Sequence, residues 1–275
     1  MVEHIDGPLY YERMGRTGPI MAFVHPNPMD QSCWMFQMAH MSTWFRCMAI
    51  DIPGYGRSPK AQRGLTMIDM AQACWEAIDS EQPGAPAILV GCSVGSAIII
   101  HMHHLRPKQT TALILSGTGY DSAKAFVPGR IKAYTEQGLG FRWGHVLEGV
   151  SPAFRSTPMA HFFADMFAER NSSADVQSII YQFEALGRPE PEDHHAHIGC
   201  PSIILSGSED GSHQRAFILK ERIPNCEIKI LPGAGHVSHI EQPWLFDRYM
   251  IEFLGNHGLL PSEQQPPLPL AKSSL

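Results

Sequence analysis

Ser93 stands at the centre of Gly91-Cys-Ser-Val-Gly95, between one apolar run, Ala87 to Val90, and another, Ala97 to Ile100. Glycines flanking a serine, after strand-type and before helix-type sequence, predict a sharp strand–turn–helix whose backbone approaches its neighbours closely. A serine hydroxyl is a poor nucleophile at neutral pH and needs both exposure and a base. A nucleophile here requires an acid and then a histidine at later strand ends, in that chain order. Both follow. Ser202-Ile-Ile-Leu-Ser-Gly-Ser-Glu-Asp210 reads as a strand ending in a turn with a carboxylate at its tip, and Glu227-Ile-Lys-Ile-Leu-Pro-Gly-Ala-Gly-His236 as a strand ending in a glycine-rich loop. His236 would take the Ser93 proton and return it to the leaving group, while Asp210 would orient the imidazole and stabilise its cation. Glu209 falls one residue early in its turn, and His239 and Glu241 are the competitors just behind His236.

These residues need a parallel sheet to converge, and the chain alternates strand-like and helix-like segments accordingly. Ile20 to Val24 and Phe45 to Ile50 read as strands, the second ending in the turn cluster Asp51-Ile-Pro-Gly-Tyr-Gly56. Thr66 to Ile78 has helical periodicity, with Ile68, Ala71, Trp75 and Ile78 on one face, and Thr66 with Asp69 forms a capping box. Thr111 to Leu115 is the next strand. Between about residues 120 and 197 only helical runs appear: Ile131 to Gln137, Ala160 to Glu169 and Ala174 to Leu186. Strands then return at Ser202 to Leu205 and Glu227 to Leu231, followed by a helix, Pro243 to Leu254. The expected organisation is a core of residues 1–119 and 198–258, a helical insertion of residues 120–197 above the strand ends, and a disordered tail of residues 259–275 rich in Pro, Gln and Ser.

Composition narrows the function classes. The 275 residues carry a net charge of −6 and no Lys/Arg cluster, so neither nucleic acid nor an anionic membrane is an expected partner. No basic-then-apolar leader and no run of about 18 apolar residues appear, so a cytoplasmic protein is expected. Six scattered cysteines without a C-x-x-C pair suit a reducing compartment, and Cys92 reads as a small buried space-filler. Fifteen histidines, among them His101, His103, His104, His194, His195 and His197, show no H-E-x-x-H spacing, so no metal is expected. Acyl transfer on a triad needs no cofactor.

With Gly91-Cys-Ser-Val-Gly95, Asp51-Ile-Pro-Gly-Tyr-Gly-Arg-Ser58, Gly207-Ser-Glu-Asp210 and Gly233-Ala-Gly-His236 in place, the chain resembles the α/β-hydrolase superfamily over residues 20–118 and 199–254. The resemblance implies an α/β-hydrolase fold: a mostly parallel, eight-stranded sheet, helices on both faces, and a helical cap. It also implies that Ser93, Asp210 and His236 form the triad. An oxyanion hole needs two backbone N–H groups. One is expected from Val94, the other from the loop His25-Pro-Asn-Pro-Met-Asp30, where Pro26 and Pro28 have no N–H and Asn27 is the donor. The family usually has His-Gly here, so Pro26 is a departure. Asp30-Gln-Ser-Cys-Trp34 resembles a stretch of small hydrolases and of hydrolase-derived hormone receptors, which brings in a slow-turnover ligand sensor as a second class of function.

His25 is expected to be structural or to lie at the base of the site. Met29, Trp143, Phe162 and Val237 are the other candidate substrate contacts. A serine nucleophile favours esters, lactones, activated amides or a carbon–carbon bond beside a ketone. Epoxide hydrolases and haloalkane dehalogenases of similar architecture use Asp, so their chemistry is disfavoured. The expectation is an esterase or lactonase acting on a small, moderately hydrophobic molecule, as a monomer or homodimer.

Overall fold

The central strands are apolar on both faces, as a sheet covered by helices on each side requires. The computed structural model describes residues 2–121, 123–189 and 193–261. Its strands are β1 (Tyr11–Met14), β2 (Ile20–Val24), β3 (Arg46–Ile50), β4 (Ala87–Cys92), β5 (Thr110–Ser116), β6 (Ser202–Gly207) and β7 (Cys226–Leu231). They form one sheet in the order β1-β3-β2-β4-β5-β6-β7, with β1 antiparallel to β3 and every other pairing parallel. Along β2, Ile20, Ala22 and Val24 face one apolar cluster, whereas Met21 and Phe23 face the other. Helices α1 (Met35–Met41), α2 (Met67–Glu81), α3 (Val94–Leu105), α9 (His213–Arg222), α10 (Ser238–Glu241) and α11 (Pro243–Asn256) cover the two faces. Trp75 of α2 and Ile98 of α3 lie in one cluster, Met38 of α1 and Phe246 of α11 in the other.

Seven strands, not eight, make up the sheet among the described residues. The segment before β1 crosses the loops instead of adding a strand. It makes a single bridge, Ile5 to Ala61, and the Tyr10 N–H donates to Ser58 Oγ at 2.9 Å. In α2 the Thr66–Asp69 capping box forms as its spacing predicts. Ile68, expected on the buried face, is exposed, because the first turn of α2 borders an open cleft with Thr66, Met67 and His101. The residues from 262 onward of the expected disordered tail lie outside the described residues.

Between β5 and β6 run α4 (Ala123–Gln137), α5 (Arg142–Glu148), α6 (Pro152–Arg155), α7 (Pro158–Glu169) and α8 (Val176–Gly187). Hydrogen bonds anchor these helices to loops that follow strands. Arg142 Nε donates to Pro28 O at 2.7 Å, the Asp175 N–H to Gly54 O at 2.9 Å, and the Val237 N–H to Gly149 O at 3.1 Å. They therefore sit above the carboxyl ends of β2, β3 and β7. The sheet's strand order reverses between β2 and β4, and a crevice at such a point is where open α/β sheets bind ligands.

Candidate active site

Ser93 occupies that crevice with φ 56° and ψ −119°, in the left-handed half of conformational space that L residues rarely adopt. The neighbouring contacts hold it there. Its N–H donates to Ser116 O at 2.9 Å, and Ser96 Oγ bridges Gly91 O and Ser116 O at 2.8 Å each. The two glycines of the motif are set by close approach. A Cβ on Gly95 would lie 2.1 Å from Val24 O, and one on Gly91 would lie 2.5 Å from Gly95 O. The turn thus presses α3 against β2 and starts the helix at Val94, whose N–H belongs to the unpaired amino end of a helix that favours negative charge.

Asp210 and His236 meet beyond β6 and β7. His236 Nδ1 lies 3.0 Å from Asp210 Oδ1. The carboxylate also accepts from the Ser212 N–H at 2.9 Å and the Ser212 hydroxyl at 2.7 Å. Burial opposes its charge, but His236 and these two donors outweigh burial and hold Asp210 at about 2. For His236, burial likewise favours the neutral ring, and the Asp210 carboxylate overcomes it, raising the imidazole above its ordinary 6.5. The ring lies against Gly117 and Cys92: a Cβ on Gly117 would come within 3.2 Å of His236 Cε1 and 2.9 Å of Cys92 Sγ. Cys92, the residue before Ser93, is fully buried, and burial pushes its thiol far up, so it fills space beside the histidine. Ser93, Asp210 and His236 all line one cavity of about 650 Å³.

The competitors take other places. Glu209 is exposed. His239 is fully buried behind the site, stacked on Trp34 with ring centroids 4.2 Å apart, and burial and then His236 push it down to about 3. Glu241 buttresses the histidine loop: its Oε1 accepts from the Gly235 N–H at 2.7 Å and its Oε2 from the Ser151 hydroxyl at 2.6 Å.

The remaining predicted contacts divide. Asn27, Met29 and Val237 line the cavity. His25 does not. Its Nδ1–H donates to Pro26 O and its Nε2 accepts from the Ile52 N–H, each at 3.0 Å, so the ring ties the loop after β2 to the loop after β3. Burial drives it down to about 4 and keeps it neutral. Trp143 and Phe162 also lie outside the cavity, at 38% and 56% exposed. On α5 the buried face carries Arg142, His145 and Val146, and on α7 it carries Ala160, Phe163, Ala164 and Phe167. Trp143 follows Arg142 by one residue and Phe162 precedes Phe163 by one, and a step of one turns a side chain about 100° around a helix.

Arg142 and His145 went unread in the sequence, although their i,i+3 spacing places them on one face. Arg142 is fully buried and makes no ion pair among the described residues. Its Nη1 donates to Asn171 Oδ1 at 3.3 Å, and its guanidinium lies 5.3 Å from the Tyr55 ring centroid. Bonded to Pro28 O, it holds the loop after β2 from above. Among the described residues no group of three or more His, Cys, Asp or Glu is placed to hold a metal ion, and no helix is long and apolar enough to cross a membrane.

Comparison with known proteins agrees with this architecture. A family model described as "Alpha/beta hydrolase family" matches residues 21–245. The chain is 24% identical to a dihydrolipoyllysine-residue acetyltransferase component of an acetoin cleaving system from Pseudomonas putida, over 90% of this chain and 66% of that protein. It is 23% identical to a pimeloyl-[acyl-carrier protein] methyl ester esterase from Vibrio vulnificus, over 90% of this chain and 98% of that one. Among solved structures, the enol-lactonase from Burkholderia xenovorans superimposes with a TM-score of 0.80 at 20% identity, covering 93% of this chain and 100% of the other.

Proposed function

The chain belongs to the alpha/beta hydrolase family, and from that premise we propose that it is a serine hydrolase forming an acyl-enzyme on Ser93, with a small, moderately hydrophobic ester or lactone as substrate. The observation that carries this reading is the convergence of three strand ends on one cavity. The strained elbow presents Ser93, and the loops after β6 and β7 present a paired Asp210 and His236. In the reading, the imidazole accepts the Ser93 proton as Oγ attacks the carbonyl carbon. Asp210 fixes the tautomer through Nδ1 and stabilises the imidazolium without itself taking the proton. The developing oxyanion receives hydrogen bonds from the backbone N–H groups of Val94 and Asn27, and losing one such donor typically costs 10²–10³-fold in rate. His236 then protonates the leaving alkoxide. Water, deprotonated by the same ring, releases the acid and restores Ser93.

The cavity volume lies in the range that encloses a small molecule. The methyl ester esterase and the enol-lactonase to which the chain is similar support ester or lactone chemistry. The test is intact-mass analysis after fluorophosphonate treatment, with peptide mapping. A single adduct on Ser93, lost in His236→Ala, is expected. A folded wild-type protein that takes no adduct would overturn the reading.

A further inference from the structure

Ser93 and, on the helix it starts, Ala97, Ile100 and His101 recur at i, i+4, i+7 and i+8, so they share one face, and all four line the cavity. At 1.5 Å per residue this row runs about 12 Å from the proposed nucleophile to His101. Phe126 of α4 and Leu186 of α8 line the same cavity from the inserted helices. Those two helices close up at Gly187, where a Cβ would lie 2.8 Å from Val127 Cγ1. The one polar ring in the row is turned onto its own helix: His101 Nδ1 donates to Ala97 O at 2.8 Å.

Enclosure differs along the cavity. Beside Met29, Val146 and Val237, each 1% exposed, it is tightly closed, and the Val237 N–H on Gly149 O ties that end to the inserted helices. Ala97, Phe126 and Leu186 are half-buried, and Arg188, which shares an open cleft with His101, is exposed. The cavity therefore has an arm that leaves Ser93 along α3, is walled by apolar side chains, and opens between α3 and the end of α8.

An extended chain advances 3.3–3.6 Å for every three bonds, so about 12 Å holds roughly ten bonds. We infer that the cavity takes an ester or lactone carrying one unbranched apolar chain of about eight to ten carbons, laid along α3 from Ser93 towards His101. The inference rests on the serine-hydrolase reading for the position of the scissile carbonyl alone. Ala97 is the residue that leaves room for the chain. It stands one turn from Ser93, about 6 Å along the helix, and any longer side chain there would cross the arm.

Calorimetric binding to Ser93→Ala protein tests this without requiring turnover. One ligand series is the linear methyl esters from pentanoate to nonanoate, and the other is the linear acetates from butyl to octyl. The chain is thus offered on the acyl side and on the alcohol side in turn. Full burial of a methylene is worth about fourfold in affinity. In this partly open arm the dissociation constant should fall about threefold per methylene, roughly eightyfold across the series that enters, and the series that gains identifies the side that carries the chain. Adding Ala97→Leu should cut the gain to below fivefold. Leu186→Trp, nearer the open end, should spare the gain of the first added methylenes and remove that of the last. A gain under threefold in both series, no measurable binding of any ester up to its solubility limit, or a gain that survives both substitutions would overturn the inference. Fluorophosphonate labelling of wild-type Ser93 decides the hydrolase reading separately, so the two can fail independently.

Discussion

Replacing Asp210 with asparagine should slow turnover and at the same time move the acidic limb of the pH–rate profile to lower pH. Burial alone disfavours the charged forms of both partners. Pairing with His236 at 3.0 Å, together with the Ser212 donors, reverses this for Asp210 and holds it at about 2 against an ordinary 3.8. At 1.36 kcal/mol per pH unit, the difference is about 2 kcal/mol in favour of the carboxylate. The same pairing raises His236, which must be neutral to act as a base, so wild-type activity should rise through a value above 6.5. Asparagine keeps the shape and removes the charge. Burial and Arg130 then act unopposed on the imidazole, and the limb should fall below its wild-type position. The rate on the plateau should drop about 10⁴-fold, since the tautomer is no longer fixed and the imidazolium is no longer stabilised. The assay is kcat/KM for a short-chain ester across pH 4.5–8.5 in both proteins. An unmoved limb, or a plateau within tenfold of wild type, would refute the assignment of Asp210 as the partner of His236.

Other perturbations test the supporting structure. Gly95→Ala places a Cβ 2.1 Å from Val24 O, a backbone atom that cannot yield, so α3 must pull away from β2; a loss of several kcal/mol in chemical denaturation is expected, and a Tm within about 2 °C of wild type would contradict the close approach. Arg142→Met removes the donor to Pro28 O together with an unpaired buried charge. Those effects on stability oppose each other, so Tm should change little while Ser93 labelling slows about tenfold through a loosened loop after β2, the proposed oxyanion donor; an unchanged labelling rate would show that Arg142 does not hold that loop. His239 sits at about 3 in the fold against 6.5 when unfolded, so the unfolded state binds its proton first and stability falls as pH drops from 6.5. Between pH 6.5 and 4 this one ring should cost about 3 kcal/mol. His239→Phe, which preserves the stack on Trp34, should shrink the acid loss by that amount, and parallel stability–pH curves for the two proteins would rule the effect out.

How the sequence could be read followed the range of the forces involved. Ile20 to Val24, Ala87 onward and Thr111 to Leu115 were legible as strands because burial on both faces leaves continuous apolar runs. The start of α2 was legible because a capping box is a local contact between residues three apart. Strand β1 was not: it is an edge strand with three exposed residues out of four and carries no apolar pattern. Helix α9 hid for a related reason, since only Ala216 and Leu219 of its ten residues are buried. Ser93, Asp210 and His236 could be picked out because each ends a strand in a glycine-bearing turn, which is local chemistry.

The lining of the cavity was decided elsewhere. Trp143 and Phe162 are large aromatics, but the rotation of α5 and α7 against the core turns Arg142, His145 and Phe163 into the interior in their stead, and of these His145 lines the cavity. His25 looked available at a strand end until the Ile52 N–H and Pro26 O, brought to it by sheet pairing and loop geometry, took both its nitrogens. The sequence by itself determined the order of the buried strands and the turns that could carry a nucleophile, an acid and a base. Only the tertiary structure decided which side chains face the ligand, because packing between segments distant along the chain sets the rotation of each helix, and no local periodicity records it.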